Sequence, residues 1–448
     1  MTPQEFHQLR EDIAGLRRRT TALLIVVCIM IGWLASLSFG SDVEIALADR
    51  QTLPQSDWPY TYYFSMEAVP QQHRETLEQI LCFAVCSLND EVVIEHQLPV
   101  NVFGCWRIDT RGLGWETTLP AIIKEHYPYS SYQGELPLVV RADWFVQFAM
   151  DQETGEDAYY RLIFGTPPKT LNDFLGLLQV ETASPFEHGH IEDRSGVANS
   201  GTRLIATMPT RRRQDLWITY DSAELNKATD PLENLAEKGK FDATEIIGSL
   251  PKTVASSGVI GHLQVYALSN AAGVLQTKAP AAIVTDSTGT RGVEIRNAMS
   301  CIACHAEGLR PLKQNAFKEF VKSGAEAYAD YKTREKIERF HLTQLDKLLT
   351  RHNEDYAAIL AAVNGLTPAA NAAAFSEVIK QYDKPLTLEM AVAELGCTAN
   401  ELTLAMGYAG ALPARIAQLA HGGTVHRSTW ETEYRTVLAA LNRWRNAQ

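Results

Sequence analysis

The sequence has little positive charge and few of the motifs that mark common enzyme classes. Its 41 lysines and arginines are outnumbered by 53 aspartates and glutamates, which gives a formal net charge of −12. An acidic surface disfavours nucleic acid as a partner and favours proteins with basic patches. We find no phosphate-binding glycine loop, no Ser/His/Asp order typical of a triad, no repeat and no low-complexity segment. The best-marked classes of nucleotide-dependent and triad enzymes are therefore disfavoured.

Cysteine is also scarce, with seven residues in a chain of 448. Two of them, Cys301 and Cys304, directly precede His305 in the spacing C-x-x-C-H, at which c-type haem is covalently attached. A CxxC turn or half of a zinc site is the alternative, but no second cysteine pair at metal-binding spacing follows. The motif predicts two thioether bonds to one haem c and an axial imidazole from His305.

Residues 21–40, TALLIVVCIMIGWLASLSFG, form an uncharged apolar run about long enough to cross a bilayer. Basic residues precede the run and acidic residues follow it, at Arg10, Arg17, Arg18, Arg19, Asp42 and Glu44. This asymmetry predicts a single-pass protein of the bacterial inner membrane, with residues 1–20 cytoplasmic and the bulk of the chain periplasmic. A cleaved signal peptide ending near Ala46-Leu47-Ala48 is the competing interpretation. Either form delivers the CxxCH motif to the compartment in which bacteria attach haem c.

The chain beyond the apolar run predicts an α+β protein. Residues 41–57 are polar and predict an irregular linker, residues 58–290 an extracytoplasmic α+β domain, and residues 291–448 a mostly helical haem-bearing domain. The runs that predict strands are YTYYFSM, ELPLVVRADWF, RLIATM, DLWITY, HLQVYAL and AAIVTD. Thr367-Pro368 predicts the start of a helix. Arg141 and Asp143 predict a local buried ion pair.

Several residues are candidates for the second axial position on the iron. Met208 precedes Pro209 in a predicted loop, which is a common way to present a thioether to haem, and it is the first choice. Met390 and Met406 lie in helical sequence, where a methionine is more often a core residue. His352 is predicted on the solvent face of a charged helix, and His262 at the edge of a strand.

From Trp58 to its C-terminus the chain resembles large bacterial extracytoplasmic c-type cytochrome proteins with one CxxCH motif and no settled role. The segments that carry the resemblance are WRIDTRGLGW, EHYPYS, LPLVVRADWF, DRSGVANSGTR, LWITYDS, LQVYALSNAAG, AAIVTD, NAMSCIACHAEGL, YDKPLTLEMAVAELG and HGGTVHRSTWETEY. Relatives in this group often carry histidine where this chain has Met208, so the resemblance implies an axial role for Met208. Arg194 and Arg203 flank a Gly-Ser-Asn loop and could pair with haem propionates, or with backbone carbonyls instead.

The expected function is electron transfer by a membrane-anchored, mono-haem c-type cytochrome. Its partner would be a redox protein or a membrane electron-transfer complex, of which it could be a respiratory or photosynthetic subunit. The alternative is a haem enzyme, or a sensor of peroxide or a diatomic gas, whose iron keeps an open distal face. A single motif disfavours a di-haem peroxidase, because this chain has no second haem to relay electrons.

Overall fold

The computed structural model describes residues 41–130, 136–152, 155, 157–180, 188–192, 203–210, 215–221, 243–270, 272–279, 294–305, 307–312, 345–408 and 414–448. The predicted cytoplasmic segment and membrane span, residues 1–40, lie outside these ranges, as does the predicted strand AAIVTD. Within the described ranges no single helix has the length and apolarity to cross a membrane. The helices Leu345–Asn364 and Pro368–Tyr382, which meet at a 55° bend, meet that criterion only as a pair.

The N-terminal part of the chain builds a small mixed sheet with helices on both faces. In chain order its elements are α1 (Asp42–Thr52), β1 (Thr61–Ser65), α2 (Gln71–Ser87), β2 (Val100–Val102), β3 (Cys105–Asp109), α3 (Thr118–His126), β4 (Val139–Arg141), α4 (Ala142–Met150), α5 (Ala158–Phe164) and α6 (Leu171–Leu177). The strand order is β2-β3-β1-β4, with β4 parallel to β1 and the other pairs antiparallel. Alternate residues of β1 face the two sides, so that Phe64 enters the main core and Tyr63 packs beneath α1.

The prediction of an irregular linker over residues 41–57 is wrong. Ser41 and Glu44 form a capping box that starts α1, and a short 3-10 turn, Gln55–Tyr60, follows it. Asp49 of α1 accepts hydrogen bonds from the Tyr63 hydroxyl at 2.6 Å and from Arg107 Nη1 at 2.8 Å. The polar residues of this segment therefore bind the sheet, which the composition alone does not reveal.

A second, six-stranded sheet follows, with β5 (His188–Glu192), β6 (Arg203–Pro209), β7 (Asp215–Asp221), β8 (Ala243–Val254), β9 (Val259–Asn270) and β10 (Leu275–Gln276). Each strand pairs antiparallel with its neighbour in sequence, in the order β10-β9-β8-β7-β6-β5. The hairpin of β8 and β9 is the longest pairing, with its register running from Ala243 opposite Asn270 to Val254 opposite Val259. Its residues alternate between two buried faces, and one of these faces carries the candidate site.

The rest of the described chain is helical. Its helices are α7 (Met299–Cys304), α8 (Leu345–Asn364), α9 (Pro368–Tyr382), α10 (Leu388–Leu395), α11 (Ala399–Tyr408), α12 (Ala414–Ala417) and α13 (Arg427–Asn446). Most buried apolar residues between positions 62 and 382 form one continuous cluster, and those between 386 and 441 form a second; Tyr63 and Cys105 pack separately with Ala46 of α1. The predicted domain boundary at 290/291 thus lies within the first cluster. α7, α8 and α9 share a core with both sheets, whereas α10 to α13 pack on one another.

A buried charge network joins these two clusters. The Glu394 carboxylate of α10 lies 2.8 Å from Arg141 Nη1 and 2.6 Å from Arg427 Nη1, and it accepts a 2.7 Å hydrogen bond from Trp430 Nε1. Arg141 also contacts both carboxylate oxygens of Asp143, at 3.0 and 2.6 Å, so the predicted ion pair is confirmed. Glu394 thereby connects the end of β4, beside the first cluster, to α10 and α13 in the second.

Glu431 extends the network at its edge. Tyr382 donates a hydrogen bond to its carboxylate, and the Tyr129 hydroxyl lies 3.0 Å from the Tyr382 hydroxyl. Burial raises the pKa of Glu431 above its ordinary value, although the Tyr382 hydrogen bond and the nearby arginines oppose that shift. The folded protein therefore binds a proton at this carboxyl group more tightly than the unfolded chain does.

Candidate functional site

The CxxCH motif lies on α7, a helix of six residues docked against the second sheet. Asn297, just before the helix, places the two N–H groups of Nδ2 among three acceptors, Gln152 Oε1 at 2.8 Å, the Tyr160 hydroxyl at 3.1 Å and the Tyr266 carbonyl at 3.2 Å. Ala298 then adopts φ 60° and ψ −60°, a conformation that L-residues rarely take. Such a conformation persists where the surroundings fix it, and the three contacts of Asn297 provide that constraint.

The two cysteines of the motif sit one helical turn apart in different environments. Cys301 is 1% exposed, whereas Cys304 is partly exposed. Burial raises the pKa of Cys301 well above its ordinary value, and the negative charge of Glu245 raises it further. In this packing Cys301 is therefore a protonated thiol, shielded from solvent. No disulfide joins any two of the six cysteines in the described ranges, which include Cys301 and Cys304.

His305 is held by contacts at both ring nitrogens. Its Nδ1 lies 3.3 Å from the Gly308 carbonyl oxygen, and its Nε2 lies 3.3 Å from Glu245 Oε1. The ring stacks on Tyr266, with centroids 6.1 Å apart and an interplanar angle of 21°. A histidine whose Nδ1 donates to a backbone carbonyl presents Nε2 as its metal-ligating atom, which is the usual arrangement in a metal site. In this structure that Nε2 faces the Glu245 carboxylate.

Glu245 connects His305 to Arg203, one of the arginines predicted at the site. Arg203 Nη1 lies 3.6 Å from Glu245 Oε2. Burial alone would raise the pKa of Glu245, but the hydrogen bond and charge of His305, with the charges of Arg203 and Arg310, hold it at about 2. The carboxylate is therefore ionised at neutral pH. Sequence reasoning missed Glu245, although it is the single acidic residue of β8. Arg194, the other predicted arginine, lies outside the described residues.

The strand register decides which side chains share a face with His305. Glu245 stands opposite Leu268, and successive pairs along the hairpin place Tyr266, Gln264 and His262 on the same face as Glu245. On the neighbouring strands Glu245 pairs with Thr219, and Thr219 pairs with Ile205, so the three side chains lie on one face of the sheet.

Met208 is three residues beyond Ile205 and therefore points to the opposite face. It is a buried residue of β6, not of a loop as predicted, and it pairs with Leu216. The structure consequently places the sheet between Met208 and His305. Met390 and Met406 pack against the second hydrophobic cluster, as expected of core residues.

Two buried histidines do lie on the His305 face. His352 of α8 and His262 of β9 are 5% and 2% exposed, and their Nε2 atoms are 3.2 Å apart. Gln264 Nε2 also lies 3.1 Å from His352 Nε2, and the Trp217 ring makes an edge contact with the same imidazole. The prediction that His352 is solvent-exposed is wrong, because α8 packs the face that carries His352 on the sheet. Within the described residues β9 pairs at His262 with β8 alone, since β10 pairs only at Leu268 and Ser269, so His262 does lie at a strand edge, but it is buried.

The electrostatics of this pair favour neutral rings. Burial lowers the pKa of His262 to about 3. It lowers the pKa of His352 well below its ordinary value, with smaller contributions from His262 and His305. Within the described ranges, no group of three or more histidine, cysteine, aspartate or glutamate side chains is arranged to hold a metal ion.

The residues fit a covalently attached haem in their chemistry. Cys301 and Cys304 supply two thiols one turn apart, and His305 has its Nδ1 fixed by a backbone carbonyl so that Nε2 can bind iron. The closely packed polar face beyond Nε2 holds Glu245 and the two buried histidines. No match to this chain was found among family models, curated proteins or solved structures.

Proposed function

We propose that this protein is a membrane-anchored, mono-haem c-type cytochrome that transfers electrons in the bacterial periplasm. The observation that carries the proposal is the CxxCH motif on a one-turn helix, with His305 Nδ1 held by the Gly308 carbonyl. Cys301 and Cys304 would bind the porphyrin through thioethers, and His305 would be the proximal ligand. The bound haem would supply reversible one-electron exchange between Fe(III) and Fe(II).

The chain's own charges would tune that exchange. Glu245 is ionised beside His305 and is itself held by Arg203. A buried negative charge stabilises positive charge on its neighbours, so it favours the oxidised state of an iron at this position and lowers the reduction potential. Arg203 partly compensates this charge. From sequence, Arg203 could pair with a haem propionate or with backbone carbonyls; its contact with Glu245 supports a role in setting the potential instead.

The proposed partner is a redox protein or a membrane electron-transfer complex with a basic docking surface. The net charge of −12 supports electrostatic association with such a surface, which would weaken as salt is added. The apolar run at residues 21–40 supports anchoring to the inner membrane, and a respiratory or photosynthetic complex is the expected setting.

A haem enzyme or gas sensor with an open distal face is the second candidate. The position of Met208 on the far face of the sheet favours it, because no thioether from that residue is aimed at His305. The two candidates differ in one measurable property. A carrier with two protein ligands resists carbon monoxide in its reduced form, whereas an open iron binds it rapidly.

The decisive experiment is covalent attachment. Full-length protein from a strain that matures c-type cytochromes should keep its haem through acid-acetone extraction and stain for haem on a denaturing gel. Cys301→Ala and Cys304→Ala should each greatly lower the haem yield, and the double variant should carry none. Cys397→Ala, which changes a partly exposed free cysteine far along the chain, is the matched control and should leave the yield unchanged. Extraction of all haem from the wild-type protein would refute the proposal.

A further inference from the structure

Asn353 of α8 makes two hydrogen bonds to the main chain of a single residue beyond the haem motif. Its Oδ1 accepts from the Leu309 amide at 2.7 Å, and its Nδ2 donates to the Leu309 carbonyl at 2.8 Å. An asparagine side chain offers one donor and one acceptor in this orientation, so both halves of the amide are used. The loop after α7 is thereby fixed to α8 at this point.

The Leu309 amide belongs to the same peptide group as the Gly308 carbonyl that holds His305. The Gly308 carbonyl accepts from His305 Nδ1, and the Gly308 amide in turn donates to the His305 carbonyl at 2.8 Å. Gly308 has φ 85°, and a Cβ at this position would lie 2.4 Å from Asn353 Oδ1. Glycine is therefore required here both by backbone conformation and by the close approach of Asn353.

α8 itself is held closely against the sheet. A Cβ on Gly261 of β9 would lie 2.4 Å from the carbonyl oxygen of Asp355, so the helix backbone nearly touches the strand. His352, next to Asn353, contacts His262 on the same strand. The position of Asn353 is consequently fixed by packing on both sides, and it can transmit that rigidity to the loop.

We propose that Asn353 is a positioning residue for His305, which sets the orientation and electron donation of its imidazole. The inference rests on the proposed function. A carbonyl that accepts from Nδ1 makes the ring a stronger donor at Nε2, and removal of such outer partners commonly weakens a metal site about 10–100-fold. Asn353 acts one step further out, because it fixes the carbonyl.

The test compares Asn353→Ala with Asn364→Ala in the full-length haem protein. Asn364 lies on the same helix and also donates from Nδ2, to the Gln79 carbonyl at 3.3 Å and to Asn371 Oδ1 at 2.8 Å, but it does not contact the loop after His305. We expect Asn353→Ala to raise the midpoint potential, shift the ferric EPR g-values and speed hydrogen exchange at the Leu309 amide. Asn364→Ala should change none of these three. Asn353→Asp keeps the acceptor and loses the donor, but its added negative charge lowers the potential by itself. This variant is therefore judged on the g-values and on exchange at the Leu309 amide, which should both depart from wild type, by less than in Asn353→Ala.

Two results would overturn the inference, and they are distinguishable. If the wild-type protein lacked covalent haem, the proposed function would fail and this inference with it. If haem were attached but Asn353→Ala kept the wild-type potential and both variants kept the wild-type g-values, only the role of Asn353 would fail. Should the alanine variant not fold, the aspartate variant alone decides.

Discussion

Replacement of Glu394 by alanine should produce the largest loss of stability among single changes at the junction of the two hydrophobic clusters. The side chain of Glu394 is 2% exposed and contacts two guanidinium groups, those of Arg141 and Arg427, and the Trp430 indole. Its removal would leave two buried positive charges with less compensation. Breaking a buried ion pair by removing one partner costs about 3–5 kcal/mol, and we expect a loss in that range.

The measurement is urea unfolding followed by far-UV circular dichroism and by tryptophan fluorescence. Arg351→Ala is the control, because Arg351 of α8 lies 3.7 Å from Asp355 in an i,i+4 pair, with 77% and 36% of the two side chains exposed. An exposed pair of this kind contributes about 0–1 kcal/mol. Glu394→Ala should also separate the transition into two steps, since Glu394 connects the clusters. Equal losses in the two variants would refute this account of the network.

Three further predictions concern packing, reactivity and pH. Gly261→Ala should lower the free energy of unfolding by about 1–3 kcal/mol, because its Cβ would collide with α8. Gly407→Ala, with open space around its Cβ, should not destabilise the fold. Thermal melts measure both, and an unchanged melting temperature in Gly261→Ala would show that α8 can shift. In haem-free folded protein an alkylating reagent should modify Cys304 well before Cys301, as peptide mass mapping would show, and equal rates would contradict the burial of Cys301. Glu431→Gln should stabilise the fold more at pH 8 than at pH 4. A carboxyl group whose pKa is raised by folding contributes stability at low pH and loses it as the pH rises through that pKa, so removal of its charge helps most at high pH. Urea titrations at both pH values check the sign.

The sequence predicts much of the secondary structure where the signal is local. Alternation of apolar residues predicts β6, β7 and β9, and Thr367 caps α9 one residue before Pro368, as expected. ELPLVVRADWF predicts a strand over its whole length. In the structure only Val139–Arg141 forms a strand, and the chain continues from Ala142 as the helix α4. Every residue of α4 is buried, so its sequence shows no periodicity that could distinguish a helix from a strand.

The candidate site divides in the same way. Cys301, Cys304 and His305 form a contiguous motif, and their placement on a helix requires no tertiary information. Glu245 and His352 reach the site only through strand register and through the packing of α8, so no local pattern identifies them. The local Met-Pro pair predicts Met208 as an axial ligand, but the strand register decides which face of the sheet it occupies. A register shift of one residue would move it to the other face.

The docking of α7 also has a consequence for folding kinetics. β8 and β9 meet through the short connection between Val254 and Val259, whereas Asn297 reaches Tyr266 and Gln152 across 31 and 145 residues of chain. Because closing a longer loop costs more entropy, we expect the hairpin to form early and α7 to dock late in folding. Both thiols of the motif would remain accessible in the partly folded chain until that step. The rate of α7 docking would then limit the time in which an enzyme can modify Cys301.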